Sequence, residues 1–225
     1  ILDAIRATRL VSASNTNLGT ILLLAPLAAV PREQPLGEGV AQVLARLTAE
    51  DSHNVYQAIR LAAPGGLGRV AEADVHSDRP PDDLLAAMRL AADRDLVARQ
   101  YASGFGQVLG TVVPWLIEAL ADKLTIGAAI VHVQMRLMST LPDSLIARKC
   151  GLAAAVRSAA WAAKVLASGT PSSEPYQYEL AELDFWLRSD GHRRNPGTTA
   201  DLLAAGLFAG LRDGWMPLPP GAAAG

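Results

Sequence analysis

Apolar positions recur three and four residues apart, as at Val40, Val43, Leu44 and Leu47, through most of the 225-residue chain. That spacing lines one face of an α-helix. Nowhere does an apolar–polar alternation run long enough to mark a strand. The pattern predicts about ten helices, over 2–12, 16–30, 38–47, 51–63, 82–97, 98–121, 124–139, 152–167, 176–189 and 199–211. Thr48 stands three residues ahead of Asp51 and Thr198 three ahead of Asp201, a spacing that predicts capping boxes. Three segments break the period: the Gly/Pro/acid-rich loop 64–81, the bend 141–151 and the stretch 214–225. The expected fold is all-α: a single-domain multi-helix bundle over 1–213 with an irregular C-terminal tail over 214–225.

Composition sharpens this. Half of the residues are hydrophobic but only 5% are aromatic, so small aliphatic side chains must fill the core, which suits closely packed helices. The net charge of −2 gives no reason to expect nucleic acid or an anionic membrane as partner. Phosphate binding would have to come from local clusters. One cysteine, Cys150, excludes an internal disulfide framework and a cysteine-based zinc site, and suits a reducing, cytoplasmic compartment. The longest apolar run, "ILLLAPLAAV" (21–30), is too short to span a bilayer. Arg6 and Arg9 in the first helix do not fit a signal peptide. The chain opens at Ile1 within a helical pattern and without methionine, so a preceding segment is expected to be missing. Nothing in the pattern sets an oligomeric state.

Polar chemistry gathers at helix starts and in loops. In "GHRRNPGTTADLL" (191–203) the structural reading is an ordinary capped helix, Thr198 capping and Asp201 completing the box. The functional reading is an anion site. A helix start with free amides beside Gly197 binds phosphate, and Arg193, Arg194, Asn195 and Thr199 add donors that a cap does not need. Asp201 could then hold Mg²⁺. In "NTNLGT" (15–20), Asn15 reads as an N-cap; Asn17, inside the first turn next to Gly19, has a carboxamide to offer to a base or a sugar. Asp74, His76 and Asp78 alternate in the long loop, a spacing for a ribose or cation as well as for a solvated loop. Asp95 and Arg99 stand four apart, either a surface pair or an inward-facing arginine that wants an anion, with Ser103–Gly104 allowing close approach. Asp143 and Arg148–Lys149 bracket the 141–151 bend, a distribution that also complements a helix dipole. His132 reads as a core histidine, and Cys150 has no pattern that recommends it as a nucleophile.

In order along the chain, "NTNLGTILLLAPLA", "AIRLAAPGGLG…DVHSD", "RDLVARQYASGFG", "LMSTLPDSLIARKCG" and "NPGTTADLLAAGLF" resemble the triphosphoribosyl-dephospho-CoA synthase family. The resemblance runs over nearly the whole chain and implies an all-helical enzyme that uses ATP and 3′-dephospho-CoA and releases adenine. It departs from better-known members, which carry His-Lys in place of Asn17–Leu18, Arg-Gly-Glu in place of Arg99–Gln100–Tyr101, and an N-terminal Lys-Pro-Gly segment. In the chemistry it implies, carboxylates stabilise the charge that grows on the sugar, and one takes the proton of the incoming hydroxyl. Asp143, Asp95 and Asp201 are the catalytic candidates, Asp201 and Asp143 the Mg²⁺ candidates, and Arg99, Arg148, Arg193 and Arg194 the phosphate partners. The departures keep two other readings open: ribosyl transfer or N-glycoside hydrolysis on another nucleotide or a pterin-like acceptor, and a non-catalytic nucleotide-binding module.

Overall fold

The computed structural model describes residues 1–12, 17–66, 68, 72–77 and 79–216, and among these it forms helices and no strands. Twelve α-helices follow in order: α1 Leu2–Val11, α2 Leu18–Ala28, α3 Leu36–Ala45, α4 Ala49–Ala62, α5 Leu84–Ala91, α6 Leu96–Ala102, α7 Val113–Ala121, α8 Ile126–Thr140, α9 Ser144–Cys150, α10 Leu152–Ala167, α11 Glu174–Arg188 and α12 Gly197–Arg212. They build a single helical domain. α12 is its axis: it packs on α2, α6, α7, α8 and α9, and buries Leu202, Leu203, Ala205, Gly206, Ala209 and Gly210. Small residues permit this, since a methyl group on Gly206 would overlap Val112. The main core joins α1–α7 to α12, and a second cluster around Met138, Ile146, Tyr176 and Leu183 joins α8–α11. α8 serves both, with Val133 and Leu137 in the first and Met138 in the second.

Several sequence expectations change. The helix expected over 82–97 breaks at 92–95, where the Asp95 carboxylate accepts from Val97 N and Ala98 N and so starts α6 instead. The helix expected over 98–121 breaks at Gly104 and Phe105, both at positive φ, and resumes through a π-helical turn at Val108–Val112. Pro114 follows directly and has no N–H for the Gly110 carbonyl, so the wider bonding fits there. The 141–151 bend contains α9, two turns with Asp143 as N-cap. Further on, Met216 is buried and folds back against Gly210. Of the two capping boxes, Thr48–Asp51 forms and Thr198–Asp201 does not: α12 begins at Gly197 with no side-chain cap of its own.

Candidate active site

The starts of α6, α9 and α12 are tied together by buried polar side chains. Asp143, 1% exposed, accepts through Oδ1 from Leu145 N and Ile146 N, and through Oδ2 from Thr199 N and Thr199 Oγ1 at 2.8 and 3.0 Å. One carboxylate thus caps two helices, a favourable place for a negative charge between two positive dipole ends. Ser144 accepts from Leu96 N and donates to Thr198 Oγ1, which brings α6 into the same knot. Asp95 completes it: its second oxygen accepts from Arg148 of α9 at 3.1 Å.

Above this knot lies a cavity of about 960 Å³, walled by α2, α4, α5, α6, α9, α12 and the glycine-rich loop after α4. The loop lies on α9. Gly66, at φ +80°, has no room for a side chain against the Arg148 backbone, and Arg148 Nε donates to Gly65 O. Asp201 projects from the second turn of α12 into the cavity wall. Thr20 Oγ1, from the first turn of α2, donates to its Oδ1 at 2.6 Å. A methyl group on Gly19 would overlap Oδ2, so glycine is what lets α2 and this carboxylate meet. Burial pushes the Asp201 carboxyl up to about 6; the charges of Asp143 and Asp95 act the same way, and the Thr20 hydrogen bond opposes them. Arg94, Arg148 and Lys149 bring positive charge to the same cavity.

The structure therefore gathers Asn17, Gly19, Asp95, Arg148, Asn195, Gly197, Thr198 and Asp201 around one hollow. Others lie elsewhere. Asp143 and Thr199 sit behind the wall, bonded to each other; both Asp143 oxygens already accept two donors each, which leaves no site for a metal or a substrate proton. Arg99 does not pair with Asp95; it donates to the carbonyls of Ala92 and Asp93 and closes the end of α5. Ser103 bonds to Gln100 O, and Gly104 serves the turn after α6. In the long loop it is Ala73 and Val75 that line the cavity, while Asp74 accepts from His76 N, so the alternation holds with the opposite face inward. Arg193 and Arg194 wall a separate hollow. Asn17 occupies the N-cap position of α2, and its carboxamide donates to Thr8. Asn15 and Asp78 lie outside the described residues. His132, expected in the core, is half-buried beside Tyr176 and held below its ordinary pKa by burial.

Sequence reasoning passed over Thr20, Arg94 and Ser144. Thr20 is one residue from the quoted Gly19, but no local signal shows a threonine whose acceptor lies 181 positions away.

Comparison with known proteins agrees with this picture. The family model described as CitG, ATP:dephospho-CoA triphosphoribosyl transferase, matches residues 1–219. A protein of Acinetobacter calcoaceticus assigned as a 2-(5″-triphosphoribosyl)-3′-dephosphocoenzyme-A synthase is 30% identical over 134 residues, 59% of this chain. That match spans 45% of the Acinetobacter protein, less than half of its length. A crystal structure from Archaeoglobus fulgidus, assigned as a triphosphoribosyl-dephospho-CoA synthase, superposes with a TM-score of 0.73 at 27% identity. The superposition covers 96% of this chain and 88% of the archaeal one.

Proposed function

The chain belongs to the CitG family of ATP:dephospho-CoA triphosphoribosyl transferases, and on that premise we propose that it transfers the triphosphoribosyl group of ATP to the 2′-hydroxyl of 3′-dephospho-CoA and releases adenine. The observation that carries the reading is Asp201: a largely buried carboxyl with a pKa of about 6, one oxygen held by Thr20, in the wall of a cavity that also receives Arg148 and Lys149. A carboxylate raised to that range is a better base than an exposed one and is still ionised at neutral pH.

In the reaction the acceptor oxygen forms a bond to C1′ of the ATP ribose as the bond from C1′ to the adenine nitrogen breaks. Its electron pair leaves with adenine. Asp201 takes the hydroxyl proton, and the base takes up one proton as it departs, so the balance closes. Positive charge that grows on the sugar is stabilised by the Asp201 and Asp95 carboxylates. Arg148, Lys149 and Arg94 neutralise the triphosphate, which remains intact. Asp95 also orders the site: two of its bonds start α6 and the third aims Arg148.

Among the described residues no cluster of three or more acidic, histidine or cysteine side chains is arranged to hold a metal. The Asp201 carboxylate faces the first turn of α2, where the Thr20 hydroxyl and backbone N–H both bear on it. Mg²⁺ therefore fits as a counter-ion carried by the triphosphate, in the way that this ion is usually held mainly by phosphates and water. No helix among the described residues is long and apolar enough to cross a membrane, and the lone cysteine fits a cytoplasmic enzyme.

The test is incubation with ATP, Mg²⁺ and dephospho-CoA. Adenine and the triphosphoribosylated acceptor should form in equal amounts. Adenine released only with another acceptor, or with water, overturns dephospho-CoA as substrate; no base release in any mixture overturns the transferase.

A further inference from the structure

The arginines that precede α12 are left over once the main cavity is accounted for. Arg193 and Arg194 wall a second hollow of about 390 Å³, together with Arg157, Trp186 and Asp190. The two hollows flank the last turn of α9, where Lys149 lines the first and Cys150 the second. Each guanidinium in the second is held in place by something other than an acid. The Trp186 ring carries two of them, with Cζ of Arg194 at 4.5 Å and of Arg157 at 5.1 Å from its centroid. Arg194 also donates to Trp186 O at 2.7 Å, and Arg193 donates to Lys149 O at 3.2 Å. Asp190 is the one carboxylate among the lining residues, 3.5 Å from Arg194. Three cations thus face one acid in a chain whose net charge is −2. α10 begins at the same wall without a side-chain cap, so its positive dipole end adds to the field.

Arg194 is pinned by the Trp186 indole and a carbonyl, Arg157 rests on the indole and Arg193 on a carbonyl, so part of their rotamer freedom is already spent while N–H edges stay spare. That is the condition for multidentate recognition of phosphate oxygens. The volume falls within the ~300–1,000 Å³ of small-ligand sites. We propose that this hollow is a second anion site, separate from the main cavity, that takes a diphosphate group. Dephospho-CoA carries one, and assigning it as the source rests on the transferase reading above; free pyrophosphate is the other source of the same chemistry.

Calorimetric titration with pyrophosphate tests the site without reference to turnover. The R157Q/R193Q variant should bind pyrophosphate at least tenfold more weakly than wild type with an unchanged Tm. The R32Q/R46Q variant loses the same charge from arginines that line neither hollow, and it should bind within twofold of wild type. Absence of pyrophosphate binding, or equal weakening in both variants, overturns the site. Competition then distinguishes the sources: dephospho-CoA should displace pyrophosphate, and its KM should rise about tenfold in R157Q/R193Q while the KM for ATP holds. Pyrophosphate binding that dephospho-CoA cannot displace overturns the acceptor as source and leaves a free oligophosphate. Intact pyrophosphate binding in a protein that never releases adenine overturns the transferase reading alone.

Discussion

Asp201 is pulled in two directions by its surroundings, and the sign of each pull can be measured. Burial favours the neutral acid and takes the carboxyl up to about 6, while the Thr20 hydroxyl favours the carboxylate. If the ionised form is the base, kcat/KM rises with pH through a limb near 6. Thr20→Val removes the hydrogen bond that lowers the value, so the limb should move to higher pH; a limb that stays in place in this variant removes Asp201 from the role. Asp201→Asn should lower kcat by roughly 10²–10⁴, the usual worth of a positioned base. The same substitution should stabilise the fold. Since the folded-state pKa of about 6 lies above the ordinary carboxylate value, the native state holds its proton over a window in which the unfolded chain has lost it. Stability therefore falls as pH rises from about 4 to about 6, by on the order of 2–3 kcal/mol, and stays reduced above that window. Asparagine carries no such burden and still accepts from Thr20. Thermal melts should show D201N above wild type at pH 8 and close to it at pH 4; the reverse order would mean that the ionised carboxylate is favoured by its setting.

One scale up, the elements are organised by helix starts, and Asp143 is the joint. It satisfies first-turn amides of α9 and of α12 at once, so Asp143→Ala leaves Leu145, Ile146 and Thr199 N–H groups without their acceptor. The expected loss is about 3–5 kcal/mol, the range for breaking a buried hydrogen-bonded network, read from urea unfolding. A loss below about 1 kcal/mol would mean that α12 does not depend on this cap. The same joint shows what the sequence could reveal and what it could not. Helical periodicity exposed the long helices, and Asp95 and Asp143 stood visibly ahead of apolar runs. α9 is two turns long, too short for a period to register, and so reads as a bend. The break before α6 depends on Asp95 capping in preference to a continuous apolar pattern. The Thr198–Asp201 box is right in spacing and wrong in bonding: Ser144, 54 residues away, takes Thr198, and Thr20, 181 residues away, takes Asp201. A local pattern lists the donors a side chain could use; tertiary structure selects among them. The candidate residues were legible as types at helix starts, but composition near a helix start does not say which side of it faces which hollow, and Arg193 and Arg194 line the second one.

Across the whole molecule, the cavity is bounded by segments that run from α2 to α12, with the glycine-rich loop closing over α9. A ligand that touches them together adds links between elements that otherwise meet mainly through the core, and linkage turns that into stability. At a hundred times its Kd, ATP with Mg²⁺ should add about 2.7 kcal/mol, or roughly 5–10 °C in Tm for a chain of this size. Lys149 makes no ion pair among the described residues and reaches the loop at Gly65, so it is the cation that can meet a phosphate without first breaking a bond. Arg148, by contrast, already holds Asp95 and Gly65. Lys149→Gln should therefore leave the unliganded Tm within about a degree, since an unpaired surface-side cation contributes little. It should weaken ATP about tenfold, so that at the same nucleotide concentration the added stability falls by about 1.4 kcal/mol, close to half. Asp201→Asn separates binding from chemistry: its carboxylate is assigned to the incoming hydroxyl, so the ATP-induced shift should survive in that variant while turnover is lost. Thermal melts of the three proteins with and without ATP·Mg²⁺ decide the matter. A shift equal in K149Q and wild type would move the triphosphate to another surface, and a shift abolished by D201N would make that carboxylate a nucleotide ligand and not the base.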